Sequence, residues 1–221
     1  MLADLRASIE SGALPIGTKL PSEAMLAERY DVPRSVVRTA LRNAAQLGLT
    51  ETRSGKGTFV ITASFPVEPV FGRYSAADLR EARPHIEVPA AGLAARRRTA
   101  EDLARMHELL DPLDTETDPV AWVQLDVEFH ATIARASGNS VFAAIVADFG
   151  ESLALQARVL NTLSTRQRGT AHEHRAILEA VEAGAPRAAM NAMSTHLRYV
   201  GSAVDELFPA IAGQWAPEES G

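Results

Sequence analysis

Four side chains in the second half of the chain are of metal-binding type and sit where helices should be apolar. Asp126 lies among Trp122, Val123, Phe129 and Ile133, and His130 follows it one helical turn later. His174 shares a helical face with Ile177, Leu178 and Val181, and His196 shares one with Met193, Leu197 and Val200. A carboxylate on an apolar stripe is costly unless it is paired or bound to a cation. Spacing adds a geometric argument. Gly184-Ala185-Pro186 breaks the helical pattern, and positions 174 and 196 are equidistant from 185, so an antiparallel hairpin holds both imidazoles level. With the i,i+4 Asp/His pair from another helix they can converge inside a bundle, as carboxylate and imidazole ligands do in other bundles. Three neutral imidazoles and one carboxylate suit a divalent transition ion such as zinc, nickel or manganese, with positions left open for water or an anion. The competing reading is of separate core histidines, each satisfied on its own.

A second constellation lies near the N-terminus. Arg34, Ser35 and Arg38 fall within the first turn and a half of a helical segment, and the two arginines share the face opposite its apolar stripe. Arginine can bind guanine O6 and N7 bidentately. Lys56, between Gly55 and Gly57, stands at the tip of a hairpin and would reach phosphate or the minor groove. The alternative is an ordinary solvated basic face. A third candidate is Arg83, on the 79, 82, 86, 90, 93 face of a helix. It points into the bundle and wants an anion, which is either a ligand or Glu87 at i+4.

These residues need elements to position them. Residues 2–11 read as a short helix, with Leu2, Leu5 and Ile9 on one face. Ser22 begins a second helix with Met25, Leu26 and Tyr30 on its buried side. Pro33 opens a third, whose stripe is Val36, Val37, Ala40, Leu41 and Ala44. Thr50–Arg53 and Thr58–Ile61 read as strands joined by Ser54-Gly55-Lys56-Gly57. Three helices and a hairpin make a winged helix. Beyond Ser75 the pattern is helical throughout, near 76–98, 100–113, 119–137, 140–163, 165–183 and 186–208, with capping-box starts at Ser75 and Thr99. The fold class is therefore mainly α: an N-terminal winged helix-turn-helix and a C-terminal antiparallel all-helical bundle. The expected domains are 1–62, a linker at 63–75, a bundle at 76–208 and a tail at 209–221.

Composition agrees with two domains of opposite charge. The 221 residues carry a net charge of -6 and no cysteine, which excludes disulfides and thiolate metal sites. Residues 1–62 hold 8 Lys+Arg against 6 Asp+Glu, and residues 63–221 hold 14 against 22. A modestly basic head on an acidic body is compatible with DNA binding through the head alone. No apolar run approaches a membrane span, and the charged first residues do not read as a signal peptide, so a cytoplasmic protein is expected. Arg96-Arg97-Arg98 reads as a structural charge run at a helix end, and His85, His107 and His172 read as surface residues.

The head closely resembles the GntR family of bacterial regulators. The resemblance is carried by Ile9-Glu-Ser-Gly12, Pro15 to Glu23, Leu26-Ala-Glu28, Val32-Pro-Arg-Ser-Val-Val-Arg38, Gly48-Leu49 and Gly55-Lys-Gly-Thr-Phe-Val60. It implies that Arg34, Ser35 and Arg38 contact DNA and that the wing Ser54, Gly55, Lys56, Gly57 enters the minor groove. Pro33 departs from the family's usual Ser or Thr, and Ala24 stands where some members carry a DNA-contacting Arg. The body resembles the FCD effector domain of the FadR-type subgroup over roughly 78–207. Leu79-Arg-Glu-Ala-Arg83, Glu87, Asp126, Phe129-His130, Ser137-Gly-Asn139, Glu173-His-Arg175 and His196-Leu197 carry that likeness. It implies a bundle of six or seven helices, a metal on Asp126, His130, His174 and His196, and a small carboxylate or sugar acid that completes the metal shell and meets Arg83. Thr170 and Asn139 are further pocket candidates, and Pro84 beside Arg83 is a departure that can kink the helix.

The expectation is a homodimeric regulator on a (pseudo)palindromic double-stranded operator, acting as a ligand-relieved repressor and not as an enzyme. The alternative is a metal-dependent hydrolase acting on a small carboxylate. It lacks a carboxylate spaced as general base beside the ligands, as His-Glu-x-x-His provides.

Overall fold

The computed structural model describes residues 1–63, 70–113, 115–163 and 167–207, which form two compact units, Met1–Val70 and Phe71–Leu207. The expected 209–221 tail lies outside the described residues, as do residues 64–69 of the expected 63–75 linker.

In the first unit α1 (Leu2–Glu10), α2 (Glu23–Tyr30) and α3 (Arg34–Gln46) precede an antiparallel hairpin of β1 (Thr50–Arg53) and β2 (Gly57–Val60). Thr50 stands opposite Val60 and Arg53 opposite Gly57. The Ser22 hydroxyl accepts the backbone N–H of Met25 at 3.3 Å and so starts α2. Asp31 at φ 51 ends it. Helix α3 packs on α1, α2 and β1, burying Val37, Ala40, Leu41 and Ala44. This is a winged helix-turn-helix.

Three local expectations are corrected. Val36 and Met25 are exposed, at 47% and 60%. Each lies about 100° around its helix from the residue that is buried, Val37 and Leu26 respectively. Pro33 stands at the N-cap position and supplies no side-chain hydrogen bond. The second strand begins at Gly57, one residue earlier than expected.

A short hairpin, β3 (Val70–Phe71) with β4 (Tyr74–Ser75), falls in the stretch read as linker. It precedes six helices: α4 (Ala76–Arg97), α5 (Ala100–Leu110), α6 (Pro119–Ala136), α7 (Ser140–Leu163), α8 (Gln167–Glu182) and α9 (Pro186–Leu207). Both capping boxes form, Ser75 with Asp78 and Thr99 with Asp102. Helix α4 continues through Pro84 and Pro89. It lies against α9 with the small residues Ala90, Ala91, Ala94 and Ala95 buried. The approach is closest at Gly92, where a Cβ would come within 2.7 Å of Met190 Cγ.

The arginine run at the end of α4 ties other helices together. Arg97 Nη1 donates to the Ser137 carbonyl beyond α6 at 2.8 Å, and Arg98 Nη2 donates to the Glu182 carbonyl at the end of α8 at 2.9 Å. Both serve carbonyls that a helix end leaves without partners. Gly184, at φ +63, turns the chain from α8 into α9, and a Cβ there would stand 3.0 Å from Arg98 Nη2. Gly184→Ala is therefore expected to destabilise the bundle by about 1–2 kcal/mol, through a left-handed residue with a side chain. A urea titration followed by circular dichroism checks this. An unchanged midpoint would mean that the α8–α9 turn tolerates a Cβ.

Candidate functional site

The hairpin does hold its two histidines level. The ring centroids of His174 on α8 and His196 on α9 are 4.7 Å apart, and His130 on α6 lies 5.2 Å and 5.1 Å from them. All three are buried, and their ligand atoms lie within 4.8 Å of one another. Asp126 stands beside this group, its Oδ1 3.4 Å from His174 Nε2.

Two carboxylates behind the imidazoles set their orientation. Glu87 Oε2 is 2.5 Å from His130 Nδ1, and Glu173 Oε2 is 2.8 Å from His196 Nδ1. An ionised carboxylate is only an acceptor, so in each pair Nδ1 carries the hydrogen. In the neutral tautomer the lone pair then lies on Nε2, the atom a metal would take. This is the arrangement found behind metal-bound histidines, where the outer carboxylate fixes the tautomer and raises ligand basicity. The donor set fits a divalent transition ion. Zinc at 2.0–2.1 Å from three tetrahedral nitrogens holds them about 3.4 Å apart, so closure needs shifts of about an ångström.

Glu87 also takes Arg83, whose Nε donates to Oε1 at 2.5 Å and whose Nη2 donates to Oε2 at 3.4 Å. Burial alone would push the Glu87 carboxyl up. The Arg83 guanidinium, and after it His130, outweigh burial and hold it well below the usual carboxylate range. The carboxylate is therefore ionised at neutral pH and its neighbours are fixed. Arg83 is thus in an ion pair, one of the two readings its position allowed, and it also faces a cavity. That cavity, of about 30 Å³, is lined by Arg83, Asp126, His130, Thr170 and His196 among others. Asn139 is not among its lining residues. It caps α7, its Oδ1 accepting the backbone N–H groups of Val141 at 3.0 Å and Phe142 at 3.4 Å.

Sequence reasoning misses the part played by Glu173. The signal is present: mirroring about 185 pairs 173 with 197, next to His196. The Glu87–His130 contact joins α4 to α6 and has no such local signature.

In the head, Arg34 and Arg38 present exposed side chains from the first turns of α3. Arg38 grips Glu23 of α2 through Nε and Nη2, at 3.2 Å and 3.0 Å, and Arg34 Nη2 approaches the same carboxylate at 3.9 Å. The hydrogen bonds from Arg38 lower the Glu23 carboxyl below its ordinary value. Ser35 is exposed on the same turn, as is Val36, an apolar group that sequence patterning puts in the core. Ser54, Gly55 and Lys56 are exposed at the hairpin tip, and Gly57 is half-buried.

Comparison with known proteins matches both halves. Residues 2–60 match the family described as bacterial regulatory proteins, gntR family, and residues 78–199 match the FCD domain. The chain belongs to the GntR family of bacterial regulators. It is 31% identical over 215 residues to the HTH-type transcriptional regulator LutR of Bacillus subtilis (strain 168), covering 90% of this chain and 97% of LutR. It is 33% identical over 156 residues to the Exu regulon transcriptional regulator of Escherichia coli (strain K12), covering 66% of this chain and 58% of that one. It is also 32% identical over 216 residues to an L-lactate dehydrogenase operon regulatory protein of the same organism, covering 89% and 81%. A crystal structure of a GntR member from Pseudomonas syringae pv. tomato shares the fold, with a TM-score of 0.53 at 24% identity over 97% of this chain and 87% of that one. The protein is a DNA-binding transcription regulator with the FadR-type pairing of a winged helix and an FCD domain.

Within this GntR member Glu87 is the most heavily committed side chain. Glu87→Ala would leave Arg83 buried without its carboxylate and is expected to cost about 3–5 kcal/mol. Chemical denaturation of wild type and variant measures the difference. A loss below about 1 kcal/mol would show that Arg83 finds another partner.

Proposed function

We propose that this GntR regulator senses a small organic or sugar acid at a metal ion held by His130, His174 and His196 with Asp126, and that acid binding relieves repression. The observation that carries this is the pair of carboxylates, Glu87 and Glu173, behind the Nδ1 atoms of His130 and His196. Isolated core histidines need no such backing, whereas metal ligands usually have it. A bound ion would supply a Lewis-acidic position for the acid's oxygens. Arg83 would meet the carboxylate with the donors that Glu87 leaves over, and Thr170 would add a hydroxyl at the cavity wall. Asn139 caps α7 through its Oδ1 and is not among the residues lining this cavity. The names of two relatives point to the same chemistry, since they refer to an Exu regulon and an L-lactate dehydrogenase operon.

On the DNA side, α3 is the recognition helix. Arg34, Ser35 and Arg38 read the major groove, while Ser54, Gly55, Lys56 and Gly57 form the wing. Val36, exposed beside them, suits a thymine methyl. The protein acts as a homodimer on a (pseudo)palindromic operator, one head per half-site. A second copy also accounts for α7. Its Ser140–Asn161 stretch has a mean hydropathy of 1.3, yet only 28% of the window is buried, and Val141, Ala144 and Ala147 are exposed. A membrane is the other surface such a helix fits by length and composition. Asp148 and Glu151 in mid-helix argue against it. Work on an operator implies a cytoplasmic protein. The hydrolase reading is not favoured, because Glu87 and Glu173 are both engaged by imidazoles and neither stands free as a base.

Two measurements test these halves. Zinc at about a hundred times its Kd should stabilise the purified protein by about 2.7 kcal/mol, seen as a rise in melting temperature that a chelator reverses and His174→Ala abolishes. No rise with zinc, nickel or manganese would overturn the metal. Arg38→Ala should cost about 1–3 kcal/mol in operator affinity and much less on random duplex, in titrations at fixed salt. Equal losses on both would make Arg38 a phosphate contact.

A further inference from the structure

The effector cavity contains two hydrogen-bond donors that neither the metal nor the carboxylate anchor uses. Trp122 of α6 and Asn161 of α7 both line it. Trp122 Nε1 and Asn161 Nδ2 are buried and meet no hydrogen-bond acceptor among the described residues. Trp122 is 2% exposed, so its indole N–H cannot turn to bulk water. Buried donors without acceptors are rare in folded proteins and call for a partner from outside the chain. Here the two converge on one cavity from different helices, beside Arg83 and the histidines. Leu153, Ala157, Leu160 and Val200 supply apolar lining beside them, so the two N–H groups are what an alkyl tail would leave unpaired.

Cavity size narrows the partner further. The cavity is small, with about 30 Å³ of free space, so a short acid fits it with less rearrangement than a hexose-sized one. A neighbouring cavity of about 20 Å³ shares Arg83, Gln156 and Val200 but is otherwise mostly apolar, with Leu79, Leu197 and Val204 among its lining.

We infer that Trp122 and Asn161 are specificity-determining residues that donate to oxygens on the effector beyond its carboxylate, selecting a short hydroxylated acid over an alkyl acid or a hexose-sized one. The inference deepens the acid-sensing reading above and rests on it. The carboxylate end is held at Arg83 and the histidine group, and the far oxygens satisfy the indole and amide N–H groups. A site built to hydrogen-bond a hydroxyl discriminates strongly against the analogue lacking it, because its donors are then left unpaired.

The test is calorimetric titration of the zinc-loaded full chain with propionate, lactate, glycerate and galacturonate, using wild type, Trp122→Phe and Asn161→Leu. Wild type should prefer glycerate to propionate by at least about tenfold, with galacturonate weaker than glycerate. Each variant should lose most of that preference while its affinity for propionate stays put. Chelator competition and thermal melts should show zinc affinity and folding unchanged in Asn161→Leu, which keeps the test open if Trp122→Phe unfolds. Equal affinity for propionate and glycerate, or equal weakening of both acids in the variants, would overturn the inference and leave acid sensing intact. Tighter binding of galacturonate than glycerate would overturn the size argument. Failure of every acid to bind wild type would overturn acid sensing itself, and this inference with it.

Discussion

A negative charge buried among helices has to be met by a cation or by hydrogen-bond donors, and the effector bundle is organised around one that is. Glu87 is 2% exposed and lies between Arg83 on its own helix and His130 on α6. Removing the Arg83 guanidinium or the imidazole N–H of His130 would leave the carboxylate under-compensated in low dielectric, which costs far more than an exposed ion pair returns. The arrangement thereby fixes several things together. It holds Arg83 at the cavity wall, fixes the tautomer of His130, and ties α4 to the helix carrying two of the candidate metal ligands. The same side chains that keep the charge satisfied are those that would meet ligand and metal.

The packing of α4 follows from that requirement. To bring Glu87 against α6 while α9 lies alongside, α4 needs a small-residue face, and Ala90, Ala91, Gly92, Ala94 and Ala95 provide it. Its end is held by Arg97 and Arg98 on the last carbonyls of α6 and α8. The helix that bears Arg83 is therefore fastened to two of the three helices that carry the clustered histidines, and it packs along the third, α9. In chain order α4 is also the first long element after the segment joining the two units. A ligand can shift DNA affinity only through its differential binding to two arrangements of the protein. An element that touches the site and continues the connecting chain is well placed to differ between them.

Much of this was legible in the sequence, and the reasons are physical. The six bundle helices announce themselves through caps and breaks. Ser75, Thr99, Asp118 and Asn139 accept the first N–H groups of their helices, and Gly184 can turn left-handed. These are local interactions, so local sequence specifies them. The convergence of His174 and His196 follows from hairpin symmetry alone. Local reasoning stops where contacts become long-range. The Glu87–His130 pair bridges 43 positions between α4 and α6, and no periodicity connects them. Asn139 falls the other way. Family likeness puts this polar residue after Ser137-Gly138 in a pocket, whereas its Oδ1 is already spent on the start of α7. Met25 and Val36 show the remaining limit, since one residue on a short helix rotates a side chain by 100° and carries it from core to solvent.

The exposure of Val36 bears on how the head reads DNA. On the proposed reading, Val36, exposed beside Arg34 and Arg38, would be buried by a base edge in the complex. The two arginines are in the opposite situation: Glu23 already satisfies Arg38 and draws in Arg34. Guanine contact requires that carboxylate to be shared or released, whereas a thymine methyl asks Val36 to give up only water. The ion pair is exposed and so opposes either contact only weakly. It also keeps both guanidinium groups ordered on the face that enters the groove, which reduces the entropy lost on binding. On the proposed reading, discrimination by this helix would arise from the difference between a bidentate base edge, which repays the exchange, and a lone phosphate, which repays less of it.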